Sequence, residues 1–235
     1  MSEGDQRATI DRYATRYREH GYSPRTLGWD KGNQEVRFDV LTSGCDLRGL
    51  AVLDVGCGFG DLNLVLERKF GPTYQYTGVD LVPELIQKAR QRWPGERHQF
   101  IVGDFLSLEF EHDHDYVIAS GIFNHRFVST NNRDFVIATM TRAFELCRVG
   151  LAMDFLSDKV DYRHEHTFHS APEDVLEFAF GLTRNVALRN DYMPFEFSVF
   201  LRKDDSFDPD DPVFNAHKNA RLVPRNDVAS PEVPR

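Results

Sequence analysis

Apolar runs of strand length alternate with helical apolar patterns over most of the chain. Seven runs are predicted as strands, at 51–55, 76–80, 98–102, 116–120, 151–156, 185–189 and 195–202. The first is a nearly continuous apolar run, which a parallel strand buried on both faces requires. Helical patterns separate the first six strands, but only a short link joins the last two, so these two form an antiparallel hairpin. The pattern predicts an α/β fold with a doubly wound, seven-stranded, mostly parallel sheet whose last strand is antiparallel.

Segments of different character flank this pattern. Two amphipathic helices are predicted before the first strand, at 7–20 and 33–41. After residue 203 the composition turns to Asp, Asn, Pro and Arg with few apolar residues, which is typical of a mobile or surface-draped tail. We therefore expect a helical segment at 1–50, a main domain at 51–203 and a polar tail at 204–235. Inside the main domain, Ser170 and Glu173 predict a capping box at the start of a helix.

Three glycines at alternate positions, Gly56, Gly58 and Gly60, follow the first strand. They predict a tight turn into a helix, where the backbone can approach a ligand and the first helical N–H groups are free. Asp80 ends the second strand about 20 residues beyond the last glycine, which is the spacing of a carboxylate that accepts hydrogen bonds from a ribose. Ligands of such folds lie at the carboxyl ends of the parallel strands. The sequence therefore predicts a nucleotide-like ligand beside this turn.

The stretch Val52-Leu53-Asp54-Val55-Gly56-Cys57-Gly58-Phe59-Gly60 resembles the first motif of the class I S-adenosylmethionine-dependent methyltransferases. The resemblance extends in strand order over about residues 51–203. It implies S-adenosylmethionine as cofactor and S-adenosylhomocysteine as product, with Asp80 at the ribose, Asp104 at the adenine amino group and an apolar neighbour against the adenine ring. The cofactor-binding residues implied in the main domain are Asp54, Gly56, Gly58, Gly60, Asp80, Leu81, Asp104, Phe105 and Ser120.

In this family N-terminal helices often cover the cofactor, so the resemblance also implies that residues 1–50 form a lid. Tyr13, Tyr17, Trp29 and Lys31 are the lid candidates, and Tyr17 and Lys31 are expected to contact the cofactor. A solvated helix with half-buried aromatic side chains is the alternative interpretation of the same pattern.

Composition narrows the range of partners. The chain has 28 basic and 37 acidic residues and a net charge of −9, which disfavours binding to nucleic acid. Its three cysteines lack metal-ligand spacing and suggest reduced thiols, and neither a signal region nor a membrane span is predicted. We expect a cytoplasmic protein that acts on a small molecule, without a membrane or nucleic-acid partner and with an unknown oligomeric state.

The loops after the fourth and fifth strands carry the candidate catalytic groups. His125 and His166 rank first as a general base, because both follow core strands on the ligand side and imidazole titrates near neutral pH. His164 and His169 raise the alternative of a metal site with His166, but their spacing fits no helix face and no cysteine joins them, so no metal is expected. Asp154 lies within the fifth strand and is predicted to be buried and hydrogen-bonded.

The resemblance implies methyl transfer to an oxygen or nitrogen atom of an acceptor by in-line displacement, with or without a histidine general base, and the composition favours a small-molecule acceptor. Two alternatives stay open. One is an aminopropyl transferase of the same fold, although Asn124 and His125 are not the paired acids expected for its amine site. The other is a protein that binds S-adenosylmethionine without turnover and acts as a partner of another protein.

Overall fold

The computed structural model describes residues 1–29 and 33–222, the last four of these by their backbone only. Seven strands form one sheet in the order β3-β2-β1-β4-β5-β7-β6. They are β1 (Ala51–Val55), β2 (Gln75–Asp80), β3 (His98–Val102), β4 (His114–Ala119), β5 (Cys147–Leu156), β6 (Val186–Arg189) and β7 (Glu196–Arg202). Strands β1 to β5 pair in parallel, and β7 is antiparallel to both of its neighbours. The predicted fold class is confirmed.

Helices cover both faces of this sheet. They are α1 (Glu3–His20), α2 (Gln34–Leu41), α3 (Leu62–Phe70), α4 (Pro83–Arg92), α5 (Asn132–Leu146) and α6 (Pro172–Leu182). Leu53 on β1 packs in the core cluster that includes α5 and α6, whereas its neighbour Val52 packs in the cluster that includes α2, α3 and α4. Both faces of the sheet are therefore buried under helices. Because successive strand residues point to opposite faces, successive positions along a strand have to be apolar.

Several boundaries differ from the prediction. Strand β5 begins at Cys147 rather than at the predicted residue 151. It follows directly on α5, which ends at Leu146. Residues 147–150 include Arg148 and Gly150, which resemble the end of a helix in the sequence, yet His114 and Tyr116 of β4 pair with Cys147 and Gly150. Backbone pairing with β4 therefore makes this segment a strand, although its local sequence pattern indicates the end of a helix.

The predicted capping box before α6 is wrong. Ala171 is the N-cap of α6, and no side chain caps this end. The Ser170 N–H donates instead to the Leu156 carbonyl at the end of β5, and Glu173 pairs with Lys159. Ser170 thus extends the pairing of the strand end, which leaves it one residue too early to cap the helix.

After Lys203 the structure describes a second compact unit as far as residue 222. It contains β8 (Phe207–Asp208) and β9 (Asp211–Phe214), which pair antiparallel, followed by α7 (Asn215–Leu222). The polar composition had predicted a mobile or surface-draped tail here. Among residues 1–29 and 33–222 no helix is both long and apolar enough to cross a membrane.

Candidate active site

A cavity of about 400 Å³ lies at the carboxyl ends of the central strands, beside α1. Strand order reverses between β1 and β4, and ligands of doubly wound sheets bind at this switch point. Nine residues that the sequence predicted for the site line this cavity: Gly56, Gly58, Asp80, Leu81, Asp104, Phe105, Ser120, His125 and His166. Residues from distant parts of the chain thus meet in one site.

The glycine turn is bonded back onto the end of β2. The N–H groups of Gly56 and Cys57 donate to the Val79 carbonyl at 2.8 and 3.0 Å. Gly56 and Gly58 have φ values of 74° and 53°, which favour glycine. A Cβ on Gly56 would also lie 2.3 Å from Cγ2 of Ile122, so the turn has no room for a side chain at this position.

Asp80 fixes the same turn from the second strand. Its Oδ2 accepts the Gly58 N–H and its Oδ1 accepts the Val82 N–H, both at 2.9 Å. Burial raises the pKa of Asp80 above its ordinary value, and the backbone N–H bonds act in the opposite direction. Each carboxylate oxygen has a second lone pair, so the side chain can still accept hydrogen bonds from ligand hydroxyls.

Asp104 and Phe105 lie on the side of the cavity next to β3. Asp104 Oδ2 accepts the side-chain amide of Gln6 at 2.9 Å, and Oδ1 accepts the Leu106 N–H at 3.2 Å. Phe105 is 6% exposed and packs in the core while lining the cavity. The contact with Gln6 brings the first helix to the site.

Three described residues assigned to the cofactor from the resemblance, Asp54, Gly60 and Tyr17, do not line the cavity. Asp54 is buried behind the turn, where it accepts the Tyr76 hydroxyl at 2.6 Å, and burial raises its pKa to about 7. A Cβ on Gly60 would meet Trp93 and Phe100, so this glycine allows close packing away from the ligand side. The Tyr17 ring packs against Phe59 at 5.7 Å. Lys31 lies outside the described residues.

Asp154 orients the end of β4, as its predicted burial and hydrogen bonding imply. It is 1% exposed and accepts the Ser120 hydroxyl at 2.5 Å and the Gly121 N–H at 2.7 Å. Ser120 therefore lines the cavity with its hydroxyl already donated to β5. The prediction for Asp154 is confirmed.

The His125 ring contacts Arg12 of α1. Arg12 Nη1 lies 2.8 Å from His125 Nδ1, and the His166 carbonyl lies 3.0 Å from the same nitrogen. Nδ1 can donate to the carbonyl or accept from Arg12, but it cannot do both. The contact with Arg12 is shorter and charged, and a guanidinium can only donate, so we assign Nδ1 as the acceptor. The neutral imidazole then carries its proton on Nε2. Burial and the Arg12 charge lower the pKa of His125.

The other two loop histidines do not line the cavity. His164 stacks on the His166 ring with the centroids 5.5 Å apart. His169 Nδ1 donates to the Ser157 carbonyl at 2.7 Å, which places its ring beside the backbone at the end of β5. Within the described part of the chain, no three His, Cys, Asp or Glu side chains lie close enough together to hold a metal ion.

Several polar side chains that were not predicted for the site also line the cavity: Thr9, Arg12, Arg16, Gln34, Arg37 and Asn124. Four of them lie before residue 35 in helical or turn segments that carry many other charges, so their neighbours along the chain give no signal. Arg37 could have been noticed as a charge among the apolar residues of its helix. Its partner Glu196 is 159 residues away, and only the fold shows this pair.

Comparison with known proteins agrees with this geometry. Residues 52–145 match the family described as a methyltransferase domain. A Mycobacterium tuberculosis protein, named as a methyltransferase without a stated substrate, is 28% identical over 159 residues, which cover 65% of this chain and 93% of that protein.

Solved structures show the same fold. Magnesium protoporphyrin IX methyltransferase from Synechocystis, with bound S-adenosylhomocysteine, has a TM-score of 0.59 at 16% identity, covering 83% of this chain and 94% of that chain. Human N-acetylserotonin methyltransferase in complex with S-adenosylmethionine has a TM-score of 0.63 at 16% identity, covering 86% of this chain and 60% of that chain. At these identities the structural matches establish the fold alone.

Fold, family match and glycine turn together define a class I S-adenosylmethionine-dependent methyltransferase, which confirms the resemblance seen in the sequence. Residues 52–145 match the methyltransferase domain family, and the cofactor that this match and the fold support is S-adenosylmethionine.

Proposed function

We propose that the protein methylates an oxygen or nitrogen atom of a small-molecule acceptor, bound in the part of the cavity next to the loops after β4 and β5. The observation that carries this proposal is the cavity itself, which holds about 400 Å³ between the sheet and α1. A space of this size beside an N-terminal helix fits a cofactor and a compact acceptor better than a macromolecule. The net charge of −9 also disfavours nucleic acid as the acceptor.

The residues at the cavity fit the cofactor. Gly56 and Gly58 let the backbone approach the ligand, Asp80 offers acceptor lone pairs for ribose hydroxyls, and Asp104 and Phe105 lie where the adenine is expected. S-adenosylmethionine, when bound, supplies a methyl group on a positively charged sulfur. The chain has to hold the acceptor in line with this methyl group, and such positioning can lower a barrier by about 7–11 kcal/mol.

The two histidines take different parts in this proposal. Because Arg12 donates to Nδ1 of His125, the neutral ring presents an N–H at Nε2 and can orient an acceptor oxygen as a hydrogen-bond donor. His166 lines the cavity from the loop after β5 and is the better candidate to remove a proton from the acceptor. An acceptor that is already a free nucleophile would need no base, and positioning alone would then determine the rate.

The test is a screen with S-adenosylmethionine labelled on its methyl group and a cell extract separated into small-molecule and macromolecular fractions. We expect the label in the small-molecule fraction. Label in protein or nucleic acid would contradict the proposed acceptor class, and cofactor binding without transfer in any fraction would favour the non-catalytic alternative. Turnover of decarboxylated S-adenosylmethionine with an amine would instead favour aminopropyl transfer.

With an acceptor in hand, His166→Ala should lower kcat about 10²-fold or more if His166 is the base, while cofactor affinity stays near that of the wild type. The acidic limb of the kcat/KM profile should disappear in the same variant. The control is His112→Ala, because His112 is exposed in the loop before β4. An acidic limb that persists unchanged in His166→Ala would contradict this role.

A further inference from the structure

Helix α1 turns a polar face toward the cavity. Thr9, Arg12 and Arg16 follow one another at helical spacing, so their side chains lie on one side of the helix. All three line the cavity and are half-buried, whereas Arg7 and Arg18 of the same helix are exposed. Arginine side chains ordinarily lie in solvent, so two of them against a cavity call for an explanation.

Arg12 uses only part of its hydrogen-bonding capacity. Its Nη1 donates to His125 Nδ1 at 2.8 Å, and in the described part of the chain no acidic side chain pairs with it. A guanidinium carries several N–H donors in one plane, and they match the oxygens of a carboxylate or a phosphate. The donors that His125 leaves unused can bind such a group inside the cavity.

The charges around the cavity favour an anion near Arg12. Asp80 and Asp104, the two acids among the described residues that line it, are assigned to the ribose and the adenine. Arg37 is paired with Glu196. S-adenosylmethionine brings a sulfonium and an ammonium group but only one carboxylate, so it adds positive charge. An anion beside Arg12 would offset this accumulation of positive charge.

Arg12 lies on the side of the cavity that the cofactor assignment leaves open. Its partner His125 is on the loop after β4, and a β-bridge between His125 and Thr167 joins this loop to the loop after β5. The Arg126 N–H reinforces the junction by donating to the His166 carbonyl at 3.0 Å. The glycine turn, Asp80 and Asp104 follow β1, β2 and β3, on the other side of the switch point. Position therefore favours the acceptor, rather than the cofactor, as the ligand of Arg12.

Aromatic rings adjoin the same place. The Phe127 ring lies edge-on to His125 with the centroids 6.0 Å apart, and Phe135 packs on Phe127 at 5.2 Å. Both phenylalanines line the cavity. A molecule with an apolar body and one acidic group fits these surroundings, because the rings contact the body and Arg12 contacts the charge.

We propose that the acceptor carries an acidic group, a carboxylate or a phosphate, and that Arg12 binds this group while His125 Nε2 orients the atom to be methylated. The inference deepens the proposed function and rests on it for the identity of the ligand as acceptor. Arg12 is then a specificity-determining residue, and Arg16, one helical turn further on, adds to the positive potential. The acidic group and the atom to be methylated are different parts of the acceptor, so the product keeps its negative charge.

The first experiment measures the binding of benzoate, phenyl phosphate and uncharged benzamide by ligand NMR. The protein is saturated with S-adenosylhomocysteine, so the carboxylate position of the cofactor is already filled. We expect at least one of the two anions to bind about 10-fold or more tightly than benzamide. Arg12→Gln should remove this preference and change the affinity for S-adenosylhomocysteine less than about 2-fold. Arg18→Gln is the control, because Arg18 is an exposed arginine of the same helix that bonds to Thr15.

Two further variants separate anion binding from the positioning of the histidine ring. In His125→Ala the preference for an anion should persist, because Arg12 keeps its charge. Arg12→Lys keeps a charge but loses the planar set of donors, so the preference should fall about 3-fold or more. Each variant has to show the wild-type far-UV spectrum and cooperative unfolding, and Arg12→Lys decides if Arg12→Gln does not fold.

The proposal is overturned if benzamide binds as tightly as both anions, or if the preference for an anion is unchanged in the variants of Arg12. A loss of affinity for S-adenosylhomocysteine in Arg12→Gln, without anion binding to the saturated wild type, would assign Arg12 to the cofactor and overturn it too. None of these measurements needs turnover, so their result does not depend on methyl transfer.

The second experiment passes the labelled small-molecule products of the extract screen over an anion exchanger at neutral pH. Retained label is expected. Label in the unbound fraction would overturn the acidic acceptor and leave the proposed methyl transfer to a small molecule intact. Absence of label from the small-molecule fraction would contradict the proposed function, and the binding of benzoate and phenyl phosphate would then decide whether Arg12 forms an anion site.

Discussion

His125 has an unusual electrostatic environment for a candidate catalytic residue. Its Nδ1 faces Arg12, and burial and this positive charge lower the pKa of the ring. Both effects disfavour the imidazolium form, so the ring is held neutral at a pH where an ordinary histidine is partly charged. At this site the neutral ring suits a hydrogen-bond donor with a defined tautomer.

Arg12→Gln should therefore raise the pKa of His125 toward the ordinary value for histidine. The variant removes the charge but keeps a side chain that can donate to Nδ1. The measurement is an NMR titration of the His125 Cε1 proton in both proteins. Arg18→Gln is the control, because Arg18 is on the same helix and bonds to Thr15 instead. An unchanged His125 titration in Arg12→Gln would show that burial alone sets this pKa.

Gly56 and Gly49 allow the effects of strain and steric contact to be separated. Both have a φ of 74°, so alanine at either position should cost about 1–2 kcal/mol in backbone strain. A Cβ at Gly56 would also lie 2.3 Å from Ile122, whereas a Cβ at Gly49 would meet nothing within 4 Å. Gly56→Ala should be less stable than Gly49→Ala by about 1–3 kcal/mol in urea unfolding, and it should weaken cofactor binding. Equal stability of the two variants would exclude a steric role for Gly56.

At this scale the sequence predicted residues that are linked by local spacing. Gly56, Gly58 and Asp80 meet because a strand, a turn and a helix of fixed dimensions connect them. Arg37 of α2 and Asn124 of the loop after β4 both approach Gly121. No sequence pattern specifies a distance between residues so far apart in the chain, so this approach was not predicted.

The start of helix α1 is bound to the loop after β4 through the Asp5 carboxylate. Asp5 accepts the N–H groups of Val128, Ser129 and Thr130 at 2.9, 3.1 and 2.6 Å. Burial would raise the pKa of Asp5, but these bonds and those from Ser2 outweigh it and hold the pKa below its ordinary range. Asp5 therefore stays ionised and fixes the start of α1 beside the cavity.

Asp5→Ala should detach the start of α1, since three backbone N–H groups lose their acceptor. Amide exchange in residues 3–20 should become faster, and cofactor binding should protect this segment less than in the wild type. The control is Glu3→Ala, which removes an exposed acid from the same helical turn. The same attachment should weaken as pH falls below about 4, because a carboxylate with a lowered pKa stabilises the folded state only when it is ionised.

Exchange in residues 3–20 that is equal in the wild type and in Asp5→Ala would contradict this attachment. The lid expected from the resemblance stays a prediction and is tested by the same data: exchange without cofactor should exceed exchange with it.

The predicted helix began at residue 7, whereas α1 begins at Glu3 with Ser2 as its N-cap. The contacts of Asp5 that stabilise this first turn come from more than 120 residues away, so the sequence pattern could not show them.

For the whole molecule, the strand pattern predicted the sheet well because both of its faces are buried. Five of the strands begin within one residue of their predicted starts, and the exceptions are β4 and β5. Where β4 and β5 pair with each other, His114 is the partner of Cys147, and the register shifts after this pair. This irregular pairing extends both strands beyond their apolar segments, so hydrophobicity alone did not predict the extension.

Asp54 links the buried core to the pH dependence of global stability. Burial raises its folded pKa to about 7, although the hydrogen bond from Tyr76 acts in the opposite direction. In the unfolded chain an aspartate titrates near about 3.9. Between these two values the folded protein holds one more proton than the unfolded chain, so this residue makes stability fall as pH rises.

Asp54→Asn removes this titration while it keeps an oxygen that can accept the Tyr76 hydroxyl. The free energy of unfolding of the variant, relative to the wild type, should therefore rise between about pH 5 and pH 7, by at most about 1.4 kcal/mol per pH unit, and should level off above about pH 8. The measurement is urea unfolding at several pH values. Asp46→Asn is the control, because Asp46 is exposed and the side-chain hydrogen bond from Arg48 lowers its pKa. The difference in unfolding free energy between this variant and the wild type should stay constant over this pH range. A constant difference for Asp54→Asn as well would show that Asp54 is ionised in the folded protein throughout, and that its buried charge is stabilised by the hydrogen bond from Tyr76.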